Sequence, residues 1–308
     1  MASTPFGPFG GGGPQRQQFG PSRRGLGFRL APILIGVITI GVFMARGCEE
    51  GPFGRRQLVG MGIQDEMRLG AQAFDQVLQE SDVVEDPAVK NAVKRVANNL
   101  IAASRSKTFQ EAVKIPLREF EWELSVVESP QVNAFCLPGG KIVVYTGILP
   151  VSRTEAGLSV VMGHEIAHAL ARHGSERMAQ QKLINIGQMA AAGSIADMDP
   201  AMQQKVMMAF GLGAKFGFQL PFSRDHESEA DRLGLYMMAI AGYNPEEAPK
   251  FWVRMSEATK GGQPPEFMST HPSHETRVAD LQKWQADVRP FYEASRKQPD
   301  GDRPLPIE

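Results

Sequence analysis

His164, Glu165 and His168 spell H-E-x-x-H inside the stretch "VVMGHEIAHALARHGSER", which runs from Val160 to Arg177. On a helix, residues four apart lie about one turn apart on the same face, so both imidazoles can reach one metal ion. Glu165 then points at the open side of that ion, where a water to be activated would sit. Neutral imidazoles suit zinc, and a helical pair needs a third protein ligand. The stretch "SRDHESEADRLG" offers one, because Glu227 and Asp231 are again four apart. One carboxylate can bind the metal while the other orients a ligand histidine; Glu229 and His226 are the alternative ligands nearby. A third group follows in "STHPSHETR", with His271, His274 and Arg277, and all six histidines fall between 164 and 274.

Each group also has a plainer reading. H-E-x-x-H can be an amphipathic helix that carries polar residues, with Leu158, Val161 and Met162 on its buried side. Asp225, Glu227 and Glu229 can be a solvated acidic helix start near the positive end of the dipole. "STHPSHETR" can be a loop with Ser273 as N-cap. His173 reads as a cation near a helix C-terminus that Gly174 caps. The metzincin extension is absent, since Ala171 and Gly174 stand where it needs Gly and His.

These groups need a scaffold to hold them. The chain has 308 residues, 42% hydrophobic, with a net charge of −1, which is ordinary globular composition. That balance provides no basic field for nucleic acid. Two cysteines, Cys48 and Cys136, make no disulfide framework. From Ile63 the pattern turns helical, first in "IQDEMRLGAQAFDQVLQE" and then, after Pro87, in "PAVKNAVKRVANNLIAAS". "FEWELSVVES" alternates like a strand, and "KIVVYTGIL" is a second strand rich in β-branched residues. Between them "PQVNAFCLPGG" ends on the turn signal Pro138-Gly139-Gly140. Beyond Leu149 the spacing predicts helices near 153–173, 175–192, 199–213, 225–241, 246–259 and 274–297. The fold class is therefore α+β, mostly helical, with a small sheet set among helices and one catalytic domain over about 63–297. The Met-, Ala- and Gly-rich stretch 175–222 reads as buried helices or as a mobile cover over the cleft. Its Lys205, Lys215, Asp197 and Asp199 argue against a membrane span.

Residues 1–28 are dominated by Gly, Pro and Gln and read as disordered. "LAPILIGVITIGVFMA", Leu30 to Ala45, is free of charge and nearly long enough to cross a bilayer. We read 29–46 as an uncleaved transmembrane anchor, with a cleaved signal segment and a secreted chain as the alternative. Arginines before it favour the N-terminus inside and the bulk of the chain outside. Residues 47–62 read as a Gly-rich linker and 298–308 as a loop-like tail.

H-E-x-x-H, then E-x-x-x-D ending in "EAD", then "HPSHETR", in that order, resembles the HtpX-like zinc metallopeptidases. That family includes the periplasmic BepA-type proteases and the CAAX prenyl endopeptidases. "NAFCLPGGKIVVYTGIL" is similar to the family's strand segment ahead of the zinc helix, and the resemblance covers about 63–290. It implies a zincin-like domain whose edge strand precedes the H-E-x-x-H helix. It implies one Zn2+ per chain held by His164, His168 and Glu227, with Glu165 as catalytic base and Asp231 behind a ligand histidine. By the same resemblance, His271 and Arg277 help hold the substrate or the oxyanion, and Asn133 and Ala134 lie on the edge strand that receives the peptide. The implied substrates are unfolded or misfolded polypeptides, cleaved by a single-pass protein of the bacterial inner membrane facing the periplasm. The single apolar span, where HtpX has several, argues against prenyl-protein processing in a membrane cavity. A membrane-anchored chaperone with structural zinc, or a protease with one dedicated substrate, are the other functions compatible with these residues.

Overall fold

The computed structural model describes residues 26–196, 198–205, 208, 222–258, 266–272, 276–295 and 302–306. The N-terminal stretch read as disordered lies outside these up to residue 25, as do Ser273, His274 and most of 206–221.

The apolar stretch forms α1, Leu26–Gly47, whose side chains are mostly exposed, among them Leu34 at 60% and Ile35 at 64%. The expected linker is instead an antiparallel hairpin of β1, Cys48–Glu50, and β2, Arg56–Leu58. Gly51-Pro52-Phe53-Gly54 turns the chain between them, with Phe53 and Gly54 both at positive φ. Strands of three residues carry no readable alternation, which is why the sequence shows only a Gly-rich run.

Helices α2, Ile63–Gln79, and α3, Pro87–Arg105, follow as the periodicity predicts, then a short α4, Lys107–Val113. The sheet has three strands in the order β3, Glu123–Val127, then β5, Lys141–Tyr145, then β4, Ala134–Leu137. β3 runs parallel to β5, and β4 runs antiparallel to it. β4 is thus an edge strand. Tyr145 N–H donates to the Asn133 carbonyl at 3.1 Å. By the alternation of an antiparallel pair, Ala134 and Cys136 then turn their backbone groups away from β5, toward the side where Glu165 lies.

After a short α5, Leu149–Ser152, the chain enters α6, Glu155–Leu170, capped by Thr154 Oγ1, which accepts from Gly157 N–H at 3.1 Å. All sixteen residues of α6 are buried, so it is a central helix covered on every side rather than an amphipathic one. α7, His173–Ile195, α8, Arg224–Ile240, and α9, Glu247–Ala258, come next. Three short helices, α10 Glu266–Thr270, α11 Arg277–Lys283 and α12 Gln285–Ser295, complete the described chain. The tail expected as a free loop is tied to the start of α6: Leu305 N–H donates to Arg153 O and Glu155 N–H to Arg303 O, both at 3.0 Å.

α6 packs chiefly on α8, and this contact brings the two metal-binding sequences together. It depends on Gly234, where an added Cβ would lie 3.0 Å from His164 N and 3.1 Å from Gly163 C. Gly234→Val should therefore push the helices apart, costing about 1–3 kcal/mol. Thermal unfolding and zinc content should fall together; a variant with unchanged melting and full zinc would show that the crossing tolerates a side chain.

Candidate metal centre

His164 and His168 project from the C-terminal half of α6, and Glu227 from the first turn of α8, whose N-cap Ser223 accepts from His226 N–H at 3.2 Å. One donor atom each from His164, His168, Glu227 and His271 lie within 4.8 Å of one another, and all four residues are buried. His164 Nε2 is 3.0 Å from His168 Nε2, and the Glu227 oxygens are 3.5 Å and 3.4 Å from these two atoms. Bonds of about 2.0–2.1 Å on a tetrahedron separate neighbouring ligand atoms by about 3.3 Å, so the spacing fits one zinc ion.

The tautomers make the same point. His164 Nδ1 lies 2.9 Å from the Asp231 carboxylate and so carries the proton of that bond. His173 Nε2 lies 2.8 Å from Glu229, and burial, ahead of its contacts with His226 and Arg55, lowers His173 to about 4. His173 is therefore neutral, donates from Nε2, and accepts at Nδ1 from His168 Nδ1, 2.9 Å away. That leaves Nε2 of both His164 and His168 as bare lone pairs facing each other beside a carboxylate. Such a constellation calls for a cation. Without the metal a proton answers the same demand: burial opposes charge on His164, yet hydrogen bonds to Asp231 and Glu227 raise it to about 9. Burial likewise opposes ionisation of Glu227, but bonds from His164, His168 and His271 hold it far below the ordinary carboxylate range.

Glu165 lies beside this cluster, 3% exposed, and burial raises its pKa. It accepts from the backbone N–H of Cys136 on β4, while its Oε1 has no hydrogen-bond partner. Both residues line a cavity of about 360 Å³, together with Asn133, Ala134, His168 and His271. His271 sits deeper than a residue that only touches substrate. Its Nδ1 is 3.0 Å from Glu227 and 3.3 Å from His164 Nε2, and its Nε2 is 3.5 Å from Glu165. It can donate to a developing oxyanion and is also within reach of the metal position. Arg277 is placed differently: it is 1% exposed and lies behind the ligands, donating to Asp231 at 2.6 Å and to Glu227 at 2.7 Å. Both cysteines are free thiols.

Two expectations for the end of α6 change. Arg172, at φ 59°, ends the helix, and Gly174 lies within the first turn of α7. His173 is not a terminal cation; it is the buried, neutral acceptor that fixes the His168 ring.

 Asp231 fixes His164 in the same way from the other side.

Behind His173 lies a network that sequence reasoning missed. Arg55, on the hairpin next to α1, donates to Glu229 at 2.9 Å and to Glu176 at 2.8 Å. Glu176 accepts from His226 at 3.0 Å, and the His226 ring stacks on His173 with centroids 4.4 Å apart. Glu229 and His226, the alternative ligands, are thus engaged here and not in the metal cluster. Nothing in the spacing of Arg55, Glu176 and Glu229 links them, because only the tertiary fold brings them together. Burial alone would raise Glu176, but the His226 and Arg55 hydrogen bonds outweigh it and hold it at about 2. A depressed carboxylate stabilises the fold above its ordinary pKa, and that contribution is lost as the pH falls from 4.5 toward about 2. Arg55→Met should flatten this acid dependence. It should also weaken zinc binding by roughly 10–100-fold, through Glu229 and His173, in a chelator competition. Unchanged zinc affinity would show that the hairpin does not steady His168.

Residues 87–285 match Peptidase family M48. The mitochondrial metalloendopeptidase OMA1 of Schizosaccharomyces pombe is 33% identical over 261 residues, covering 83% of this chain and 72% of that protein. The protein of the same name from Arabidopsis thaliana is 34% identical over 68% of this chain and 41% of its own length. The beta-barrel assembly-enhancing protease of Escherichia coli is 28% identical over 75% of this chain and 46% of its own length. The matches thus span less than half of the last two proteins.

Proposed function

This chain belongs to peptidase family M48 and is a metalloendopeptidase, and from that premise we propose that it cleaves unfolded or misfolded membrane and envelope polypeptides while anchored by α1. The observation that carries this reading is the free Glu165 oxygen, buried between the ligand cluster and the open edge of β4. When bound, zinc polarises the scissile carbonyl and acidifies a water. His164, His168 and Glu227 hold it. Glu165 takes the proton of the attacking water at Oε1 and delivers it to the nitrogen of the departing amine. His271 donates to the oxygen that gains charge. Asn133 and Ala134 lie where an extended substrate would add as a strand beside β4. Backbone pairing reads no side chains, so any chain able to extend along the edge is a candidate substrate. A folded domain cannot offer such a strand, which favours quality control over the processing of one native partner.

The test is hydrolysis of casein by the full zinc-loaded chain in detergent, beside a folded protein of similar size. We expect many cuts in casein, none in the folded protein, and none after chelation. Casein left intact by a chain that holds its zinc, or one cut at a single site, would sink the broad quality-control reading. The first result would favour a chaperone, and the second a dedicated protease.

A further inference from the structure

We infer that α7 is a second membrane-inserted helix, running antiparallel to α1 and embedded in the same bilayer. The inference rests on the proposed membrane anchoring by α1. It starts from where α7 goes after leaving the metal centre. α7 packs along α1, in the opposite direction. Lys182 lies 4.9 Å from the centre of the Phe43 ring. One side chain added at Gly36 would meet Ala190 Cβ at 2.7 Å, and one added at Gly193 would meet Pro32 Cβ at 2.9 Å. From the first contact to the last, both helices advance eleven residues, about 16 Å at 1.5 Å per residue. That is more than half of a hydrocarbon core about 30 Å thick. Whatever medium surrounds Gly36 and Pro32 therefore also surrounds Ala190 and Gly193.

The composition of α7 suits that medium. Leu183–Ala196 carries no charged side chain, and the last charge before it is Lys182, near the outer end of the α1 contact. A run of this length is too short to span the bilayer alone; Asp197 and Asp199 follow it in sequence, so its end beside Pro32 lies toward the headgroups at the start of α1. The polar side chains are engaged within the protein, as an apolar medium demands. Ser194 donates to Ala190 O at 2.9 Å, Asn185 accepts from Gln181 at 2.9 Å, and Gln188 also has a partner. Small residues at the helix contact allow the close approach that holds helices together in lipid. The outward face presents Ile184 at 39% and Met189 at 75% exposure, surface that lipid covers at no cost. Beyond Met178, α7 leads away from the cleft along α1. Because Met178 and Arg177 line the cavity just above this segment, the cleft opens close to the bilayer surface. Its nearest substrates are chain segments emerging from the membrane.

The experiment is thiol labelling of the full chain in phospholipid vesicles with a water-soluble maleimide, in a Cys48→Ser, Cys136→Ser background. Met189→Cys reports on α7, Val37→Cys on α1, and Glu257→Cys on an exposed site of α9. Far-UV circular dichroism and zinc content of each variant check its fold. Glu257→Cys should label fast, and the other two at least about tenfold more slowly until the vesicles are dissolved in SDS. Met189 is exposed among the described residues, so slow labelling there that SDS reverses is the signature of lipid cover. Fast labelling of Met189→Cys with Val37→Cys protected would overturn the inference and leave the anchor intact. Fast labelling of both would overturn the anchor as well.

Discussion

Replacing Glu165 with glutamine should leave zinc binding intact and reduce peptide hydrolysis by about 10²–10⁴-fold, the contribution of a positioned acid–base group. Glutamine keeps the length and shape of the side chain and can still accept from Cys136 N–H. It cannot take a proton from water. Glu165 is not among the four clustered donors, so the metal site should fill as before. Burial raises the pKa of Glu165, which makes it a stronger base than an exposed carboxylate. The measurement pairs zinc content with kcat/KM on casein. Full activity in the zinc-loaded variant would remove Glu165 as the base and leave His271, 3.5 Å away, as the nearest group able to move a proton.

How much of this was legible follows from the range of each signal. The i, i+4 spacing of His164 and His168 is local and survives in any helix, so the metal-binding face could be read directly. The spacing of Glu227 and Asp231 showed two carboxylates on one face, but their roles came from family resemblance. The structure separates them by distance, since only Glu227 joins the donor cluster while Asp231 backs His164. β4 escaped the periodicity because Ala134–Leu137 has four residues and no alternation; its register comes from pairing with β5. His173 was misread as a cation because a helix-end rule takes no account of depth. In the fold it is fully buried and next to Glu229 and His226, which belong to another helix. The route of α7 along α1 was hidden for a related reason. A composition window asks whether one segment can cross a bilayer alone, and α7 has α1 as a neighbour.

Arg277→Met should destabilise the chain by about 3–5 kcal/mol, the usual cost of removing one partner from a buried ion pair. In a domain of this size that is roughly a 10 °C fall in melting temperature. The guanidinium lies 3.7 Å from the Trp252 ring centre and bonds both Asp231 and Glu227, so methionine would fill much of its volume but restore neither bond. Two carboxylates would then remain buried, with the metal as their cationic partner. Zinc should therefore matter more to the variant than to the wild type, and chelation should lower its melting temperature by a larger amount. Arg277→Lys should rescue little, because one ammonium cannot reproduce a fork that reaches two carboxylates. A residue that served only to hold substrate would behave otherwise. It would change kcat/KM while melting and zinc content stayed put, and that outcome would return Arg277 to the substrate side of the site. The burial of Arg277 argues for the first result: its bonds set where Glu227 and Asp231 stand, and through them where the metal and His164 stand.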